Sequence, residues 1–391
     1  MKRLLLYLLA LAPLSAFADV PPTGYYRVQN VKSESYMSIV DTKTASTSSD
    51  IAAGNIDLEA IHMLDGFEEN IAFNPSTICY IEYFGKDNKG KDQYNISGQG
   101  LDLHAMTGRY FNIEEVNAPV YQISAEYKST LVNVTKNLTH PTGRYDKSLY
   151  PSIDGSNKNW YILNVDQSSS QYFGIKPEFE ATGYHWATMY AGFPFMASSS
   201  DMKIYVVKQI DYEKGCAVIE EVTNVSAQTP VLFRCSSATP SVNKLTLLAP
   251  GSEGSKGTTH LVGNYYCNDV NDVGALYPHR NVIAYDENTM RMLGVDADGK
   301  PAFVKGSADN LVVSVVDGKL YLPANKAYLK VDSSAPDVLK IMTEEEYITG
   351  IEQITTSTTD GTKVIYDLQG RRVQTPSKGL YIVNGKKMII R

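Results

Sequence analysis

The chain is poor in the residues from which metal and nucleophile sites are built. Six histidines (His62, His104, His140, His185, His260 and His279) stand singly among 391 residues. With no His-Glu-x-x-His and no pair at helical spacing, a zinc protease site is not expected. No Gly-x-Ser-x-Gly elbow occurs, and the four cysteines fit no zinc template. After the apolar run Leu4 to Leu11, no segment reaches membrane-spanning length, so the mature chain is expected to have no transmembrane helix. Tryptophan is scarce, at 2 residues against 27 tyrosines. Tyrosine suits β-strands and amphipathic surfaces, so an all-β chain is the simple reading of that imbalance and an aromatic ligand-binding face the sharper one.

Stretches that approach known sites fall short of them. Gly85 to Asp92, GKDNKGKD, is close to a phosphate-binding loop. It ends in Asp92 where a hydroxyl is needed, and no helical pattern follows, so a polar hairpin tip explains it. Asp296-Ala297-Asp298-Gly299 begins like a calcium loop but lacks the later bidentate Glu, and again a hairpin tip is favoured. The neighbouring pairs Glu68-Glu69 and Glu114-Glu115 have diverging side chains, so solvated faces are favoured over glycosidase geometry. Neither a catalytic residue, a cofactor nor a metal is expected.

Charge is divided unevenly along the chain. The whole carries 36 Lys+Arg and 43 Asp+Glu, whereas Lys363 to Arg391 holds seven basic residues and one acidic. That tail is therefore +6, and Asp19 to Thr362 is −15. An acidic body argues against nucleic acid as a partner, because phosphate needs the opposite sign. A basic tail could meet an acidic receptor or lie on its own body.

Residues 1–18 read as an export leader: Lys2 and Arg3, then Leu4 to Leu11, then a small-x-small site at Ala16-Phe17-Ala18. Export permits disulfides. Cys216 and Cys235 flank the strand-like runs CAVIEEV and PVLFRC and would face each other in a hairpin symmetric about Val225 and Ser226, which makes them the preferred bridge; buried free thiols are the alternative.

Residues 19–165 contain short alternating strands. Tyr26, Val28, Met37 and Ile39 mark two of them, joined by a polar turn at Lys32 to Ser35. Similar pieces recur at Gln93 to Ala105 and Ser129 to Leu138, with strand-like closers at ICYIEY, VYQISAEY and NWYILNV. That repetition points to a threefold closed β architecture. Thr42 to Ser49 reads as an exposed loop, and Asp57 to Leu64 as a short helix. Residues 166–345 read as a β-sandwich of about eight to ten short strands, with turn pairs at Asp298-Gly299 and Asp317-Gly318. Within it, Tyr184, His185, Trp186, Phe193 and Phe195 form the densest aromatic cluster, and core packing is favoured over a ligand platform. Were a sugar bound, Trp160, Trp186 and Tyr184 are the residues expected to meet it. Thr343 to Glu346 fits a capping box, and 346–362 is a Thr-rich linker. In the tail, residues 363–391, a strand ending at Gly370 precedes a hairpin in which Asn384-Gly385 folds Leu380 to Val383 back on Lys386 to Ile390.

Three resemblances add to this reading. YYRVQNVKSESYMSIV resembles the opening of a ricin-type β-trefoil lobe, although the Gln-x-Trp element that closes sugar-binding lobes is absent and Trp160 stands in Asn-Trp-Tyr. Trp186 to Tyr190, Ile204 to Val207, Thr229 to Leu232 and Leu322 to Leu329 resemble, in that order, a module of extracellular proteins from bacteria that use type IX secretion. Ile365 to Val373 and Lys378 to Val383 are similar to a shortened type IX C-terminal sorting domain. That likeness implies a sorting signal at Tyr366, Asp367, Gly370, Arg371, Gly379, Tyr381, Lys386 and Lys387, with the type IX secretion machinery as partner. The expectation is an all-β protein: a trefoil-like domain, a β-sandwich and a small sandwich-like sorting tail. It would be secreted or displayed on a Gram-negative surface by way of the periplasm, without enzymatic activity, and serve adhesion or glycan binding. A secreted hydrolase and a structural spacer are the alternatives.

Overall fold

The alternation expected of half-buried strands is realised at once in β1 (Gly24–Asn30), where Tyr26 and Val28 enter one core while Tyr25 packs against another. The computed structural model describes residues 21–40, 55–57, 61–104, 110–128, 133–139, 150–152, 157–254, 259–267, 283–314, 317–349, 365–367, 369–373, 376, 379–383 and 386–390. The expected leader, the loop at 42–49, most of the linker and the turn residues Asn384 and Gly385 lie outside them. What is described is all-β apart from short helical turns.

The first sheet has twelve strands: β1, β2 (Tyr36–Ile39), β3 (Asn55–Asp57), β4 (Ile61–Leu64), β5 (Cys79–Lys86), β6 (Asp92–Gly98), β7 (Leu101–His104), β8 (Phe111–Asn117), β9 (Val120–Lys128), β10 (Asn133–Thr139), β11 (Tyr150–Ser152) and β12 (Asn159–Asn164). Six of them close a ring. β1 pairs with β5, β5 with β6, β6 with β8, β8 with β9, β9 with β12, and β12 with β1. One pairing rule repeats three times around it. β1, β6 and β9 each run along the preceding closing strand on one side. On the other side each meets first its own closing strand and then its own second strand, β2, β7 or β10. The rule places Tyr26, Tyr94 and Tyr121 at equivalent positions, opposite Cys79, Phe111 and Trp160, and all six side chains are buried in the ring's core.

Two expectations need correction here. Of the helix expected over Asp57 to Leu64, residues 58–60 lie outside the described residues, and the rest is strand: Asp57 ends β3, and Ile61–Leu64 is β4, which pairs with β2 through Tyr36 and Leu64. VYQISAEY does not close the second unit. It is β9, which opens the third, and β8 is the closing strand.

The next sixteen strands form the sandwich. They are β13 (Phe173–Gly174), β14 (Phe179–Ala181), β15 (Tyr184–Met189), β16 (Phe195–Ala197), β17 (Lys203–Asp211), β18 (Cys216–Val222), β19 (Asn224–Val225), β20 (Val231–Cys235), β21 (Lys244–Leu247), β22 (Leu261–Asn264), β23 (Met290–Val295), β24 (Pro301–Val304), β25 (Val312–Val313), β26 (Leu320–Tyr321), β27 (Lys326–Lys330) and β28 (Val338–Thr343). A four-stranded sheet, β13-β21-β16-β19, packs on one face of the layer β15-β20-β17-β18. That layer belongs to a ten-stranded sheet, which curls so that β23, β24, β27 and β28 cover its other face. Ile204 and Val206 therefore enter one core and Tyr205 and Val207 the other, which is why KIYVVKQI reads as a continuous apolar run. The helix α1 (Glu344–Thr349) follows β28 behind the expected capping box: Thr343 Oγ1 accepts from Glu346 N–H at 3.3 Å, and Glu346 Oε2 accepts from Thr343 N–H at 2.7 Å.

Barrel and sandwich exchange side chains across their seam. Ile78 of the barrel lies in a sandwich core, and Tyr266, just beyond β22, lies in the barrel core. Arg27 is fully buried between them, donating to the carbonyls of Gln171 at 2.8 Å, Tyr172 at 3.0 Å, Ile71 at 3.3 Å and Ala72 at 3.5 Å. Gln99 and Asn325 bridge the seam with reciprocal amide bonds of 3.0 and 2.9 Å. The tail forms its own sheet of β29 (Ile365–Tyr366), β30 (Gly379–Val383) and β31 (Lys386–Ile390), with Val383 opposite Lys386 as the two-residue hairpin requires.

Candidate functional site

One local construction accounts for three motifs. At Asp87–Lys91, Asp296–Lys300 and Asp367–Arg371 the Asp N–H donates to the carbonyl four residues on, at 2.8, 2.8 and 3.0 Å, and the Gly N–H returns to the Asp carbonyl at 3.0 Å. The Asp carboxylate accepts backbone N–H groups from inside each turn, and Gly90, Gly299 and Gly370 take φ of +79°, +74° and +77°. Only glycine adopts that backbone at no steric cost. The phosphate-loop and calcium-loop likenesses are therefore Asp-x-x-Gly-Lys hairpin tips, and Asp367, Gly370 and Arg371 of the sorting motif build the same tip. Arg371 Nε adds a 2.8 Å bond to Asp367. Tyr366 and Tyr381 lie on paired strands of the tail sheet, with Tyr381 buried; Gly379, Lys386 and Lys387 occupy its hairpin.

The residues expected to meet a sugar do not converge. Trp160 is wholly buried in the barrel core, its indole N–H donating to Leu138 O at 3.0 Å. Trp186 is 4% exposed in a sandwich core, and Tyr184 is half-buried beside it. Neither tryptophan presents a ring to solvent. The expected bridge is also absent: Cys216 and Cys235 are free, buried thiols. β17 lies between β18 and β20, with Cys216 opposite its last residue, Asp211, and Cys235 just beyond its first, Lys203. At roughly 3.3 Å per residue they stand on the order of 25 Å apart, far beyond disulfide reach. Burial pushes the Cys235 thiol, like that of Cys79, up to about 12.

A cleft of about 480 Å³ opens where barrel and sandwich meet, within the range of small-ligand sites. The barrel wall is the loop after Ile71, in which Asn74 caps the short helix Pro75–Thr77 and accepts from Ser76 N–H at 3.0 Å and Ser76 Oγ at 2.6 Å. Ser76 in turn shares a hydroxyl–hydroxyl bond with Ser38. The sandwich wall is built on β15 and β27. Glu178 Oε1 accepts from Thr188 N–H at 2.8 Å, Thr188 Oγ1 at 3.1 Å and Lys326 Nζ at 2.8 Å. Glu178 is the one carboxylate among the described lining residues. Phe73 supplies a half-buried ring at the mouth, with Lys176 Nζ 4.5 Å from its centroid. Asn325 and Tyr265 form the floor, and Tyr265, its ring tilted against that of Tyr190 at 4.3 Å, has its phenol pushed up by burial. Donors, acceptors and one aromatic face are thus fixed on two walls that the seam holds together, an arrangement suited to a polyhydroxylated molecule.

Sequence reasoning missed these residues because Ser38, Phe73, Glu178 and Lys326 come from four distant stretches with no shared spacing. Asn74-Pro75-Ser76 was the one local signal, a cap followed by proline at the first helical position. Among the described residues no cluster of His, Cys, Asp and Glu could hold a metal ion, and no helix is long and apolar enough to cross a membrane. The chain matches no protein-family model and no curated protein.

Proposed function

We propose that the chain is an exported, non-catalytic binding protein that holds a saccharide in the cleft between barrel and sandwich. The observation that carries this reading is the cleft's polar set, Asn74, Ser76, Glu178, Thr188 and Lys326, fixed by its own hydrogen bonds beside the Phe73 ring. Sites of this kind bind without first ordering their side chains, which lowers the cost of association. The closed six-stranded ring and its threefold pairing rule support reading residues 19–165 as a ricin-type β-trefoil. The tail's own three-stranded sheet and its charge of +6 support reading it as a type IX sorting signal, with release to the medium or the outer surface as destination.

A glycan array with the mature protein tests the binding. Phe73→Ala and Glu178→Gln should each weaken the array signal about tenfold or more, the loss expected from a stacking face or a charge-assisted bond. Phe84, 58% exposed and stacked at 4.1 Å on Tyr110, is the competing aromatic surface on the barrel. Loss of binding in Phe84→Ala alone would move the site there. Turnover of any substrate in a broad hydrolase screen would overturn the non-catalytic reading. For the route, Lys363 to Arg391 fused to a neutral periplasmic cargo should carry it outside the cell, and retention would remove that claim.

A further inference from the structure

The curled ten-stranded sheet encloses a core of its own, and one end of it is lined by charge. Along β20, Leu232 points into this core, and alternation puts Arg234 on the same face two residues later. Arg234 is paired in register with Trp186 of β15 and Lys203 of β17. Its guanidinium carbon sits 4.6 Å from the Tyr184 ring centroid and 5.7 Å from that of Tyr205. Stacking on rings fixes the plane of the group while leaving its N–H edge available.

The two buried arginines among the described residues are saturated. Arg27 donates to four carbonyls, and Arg291 donates to those of Glu287 at 2.6 Å, Met290 at 2.9 Å, Pro336 at 2.9 Å and Ala335 at 3.0 Å. Arg234 is half-buried, and among the described residues no acceptor takes a hydrogen bond from its side chain. It lines a cavity of about 120 Å³ together with Tyr184, Lys300 and Lys340. Two carboxylates share the wall. Glu346 Oε2 holds Thr343, and Asp296 Oδ1 holds the N–H groups of Asp298 and Lys300, while Asp296 Oδ2 is buried without a hydrogen-bond partner.

From this geometry we infer that Arg234 anchors a second binding site, at the mouth of the curled sheet, that takes the carboxylate of a small organic acid. A planar guanidinium fork matches a planar carboxylate through two parallel N–H···O bonds, and the Lys300 and Lys340 ammonium groups add the field that draws the anion in. The site is separate from the seam cleft and stands whether or not that cleft binds sugar.

The test titrates the full mature chain with sodium acetate and, in a parallel arm, with inorganic phosphate, each at ionic strength held constant with chloride. Trp186 lines the cavity, so its fluorescence reports occupancy, and the Arg234 Nε–H resonance reports it directly in the unaltered protein. Acetate should shift both signals saturably. Arg234→Gln should weaken the response at least tenfold, and Arg234→Lys, which keeps charge but loses the fork, several-fold. Lys340→Gln, which spares the stacked arginine, should weaken it about threefold and serves if the Arg234 variants do not fold. A response to acetate no different from chloride, an unmoved Arg234 resonance, an unchanged midpoint in the variants, or saturation by phosphate alone would each overturn the assignment.

Discussion

The barrel and the sandwich bury their strands differently. In the barrel, strands away from the seam give one face to a single core, as Tyr94 and Ile96 of β6 and Ile123 and Ala125 of β9 do, and β1 is the exception, with Tyr26 and Val28 in that core and Tyr25 and Arg27 turned to the sandwich. In the layer β15-β20-β17-β18 both faces are covered, so Val231 and Phe233 serve one core and Leu232 the next. A closed ring has no edges to protect and can leave its outer face polar, whereas a doubly covered layer must be apolar throughout. Substitutions in that layer should therefore be felt in two cores, while those in the barrel stay local unless they touch the seam. The buried cysteines provide site-resolved reporters of the difference: Cys79 lies in the barrel core and Cys235 in a sandwich core, and burial holds both thiols protonated and unreactive.

The seam is where the comparison can be broken most forcefully. Arg27→Ala takes a donor from four buried carbonyls: those of Ile71 and Ala72 keep the N–H groups of Asn74 and Gly174, whereas those of Gln171 and Tyr172 are stranded at about 1 to 3 kcal/mol each, so with the cavity left by the side chain a loss of about 5 kcal/mol is expected. Denaturant titration with alkylation mapping should show Cys79 and Cys235 released together in the parent and separately in the variant. Joint release in both would mean that Arg27 does not couple the two units.

Next in size is Phe233→Ala, at the centre of the doubly covered layer, where Phe233 is fully buried and lies 6.0 Å from the Phe195 ring. A cavity of that kind costs about 4 kcal/mol. Combined with Arg27→Ala, which uncouples the two units, Phe233→Ala should make Cys235 and Cys216 alkylatable at lower denaturant while Cys79 keeps its midpoint. A fall in Cys79 protection of equal size would show that barrel stability is borrowed from the sandwich. Gln99→Ala is smaller. It strands the Asn325 carbonyl oxygen but leaves the Asn325 amide on Tyr190 O at 3.0 Å, so about 2 kcal/mol is expected. Its sharper readout is ligand affinity, because Asn325 lies in the cleft floor.

The two regions were unequally legible. Period-2 alternation in YYRVQNV and the Asn-Gly hairpin are local signals, and both formed as strands where expected. Pairing is not local. VYQISAEY carries strand character whichever unit it belongs to, and Asp57 to Leu64 is too short for periodicity to separate helix from strand. Cys216 and Cys235 looked like hairpin partners because neighbours in sequence usually pair, yet β17, from earlier in the chain, fills the place between them. Arg27 carried a faint signal, a charge between Tyr26 and Val28, which marked an outward face that a second unit then covered. The cleft residues carried none, since their proximity exists only once two units are docked.

The smallest expected effect concerns the tail, and it sets one hairpin tip against another. Asp367 and Asp87 sit in the same turn, and each has its carboxyl held below the ordinary carboxylate range, chiefly by the backbone N–H of Arg371 and of Lys91 respectively. A depressed carboxylate contributes stability that is present above its unfolded value and is lost as pH falls through the folded one. Both tips should therefore be intact at neutral pH and loosen only below about pH 4, the ordinary Asp range. Backbone N–H groups dominate, and the Arg371 guanidinium is largely exposed. Arg371→Gln should accordingly change the tail tip little, whereas Asp367→Asn should abolish its acid transition and leave that of Asp87 in place. The amide shifts of Gly370 and Gly90, followed from pH 7 to pH 2, separate the two. A Gly370 shift that ignores pH, or that Arg371→Gln removes as completely as Asp367→Asn, would show that the paired arginine rather than the turn backbone holds the tail motif together.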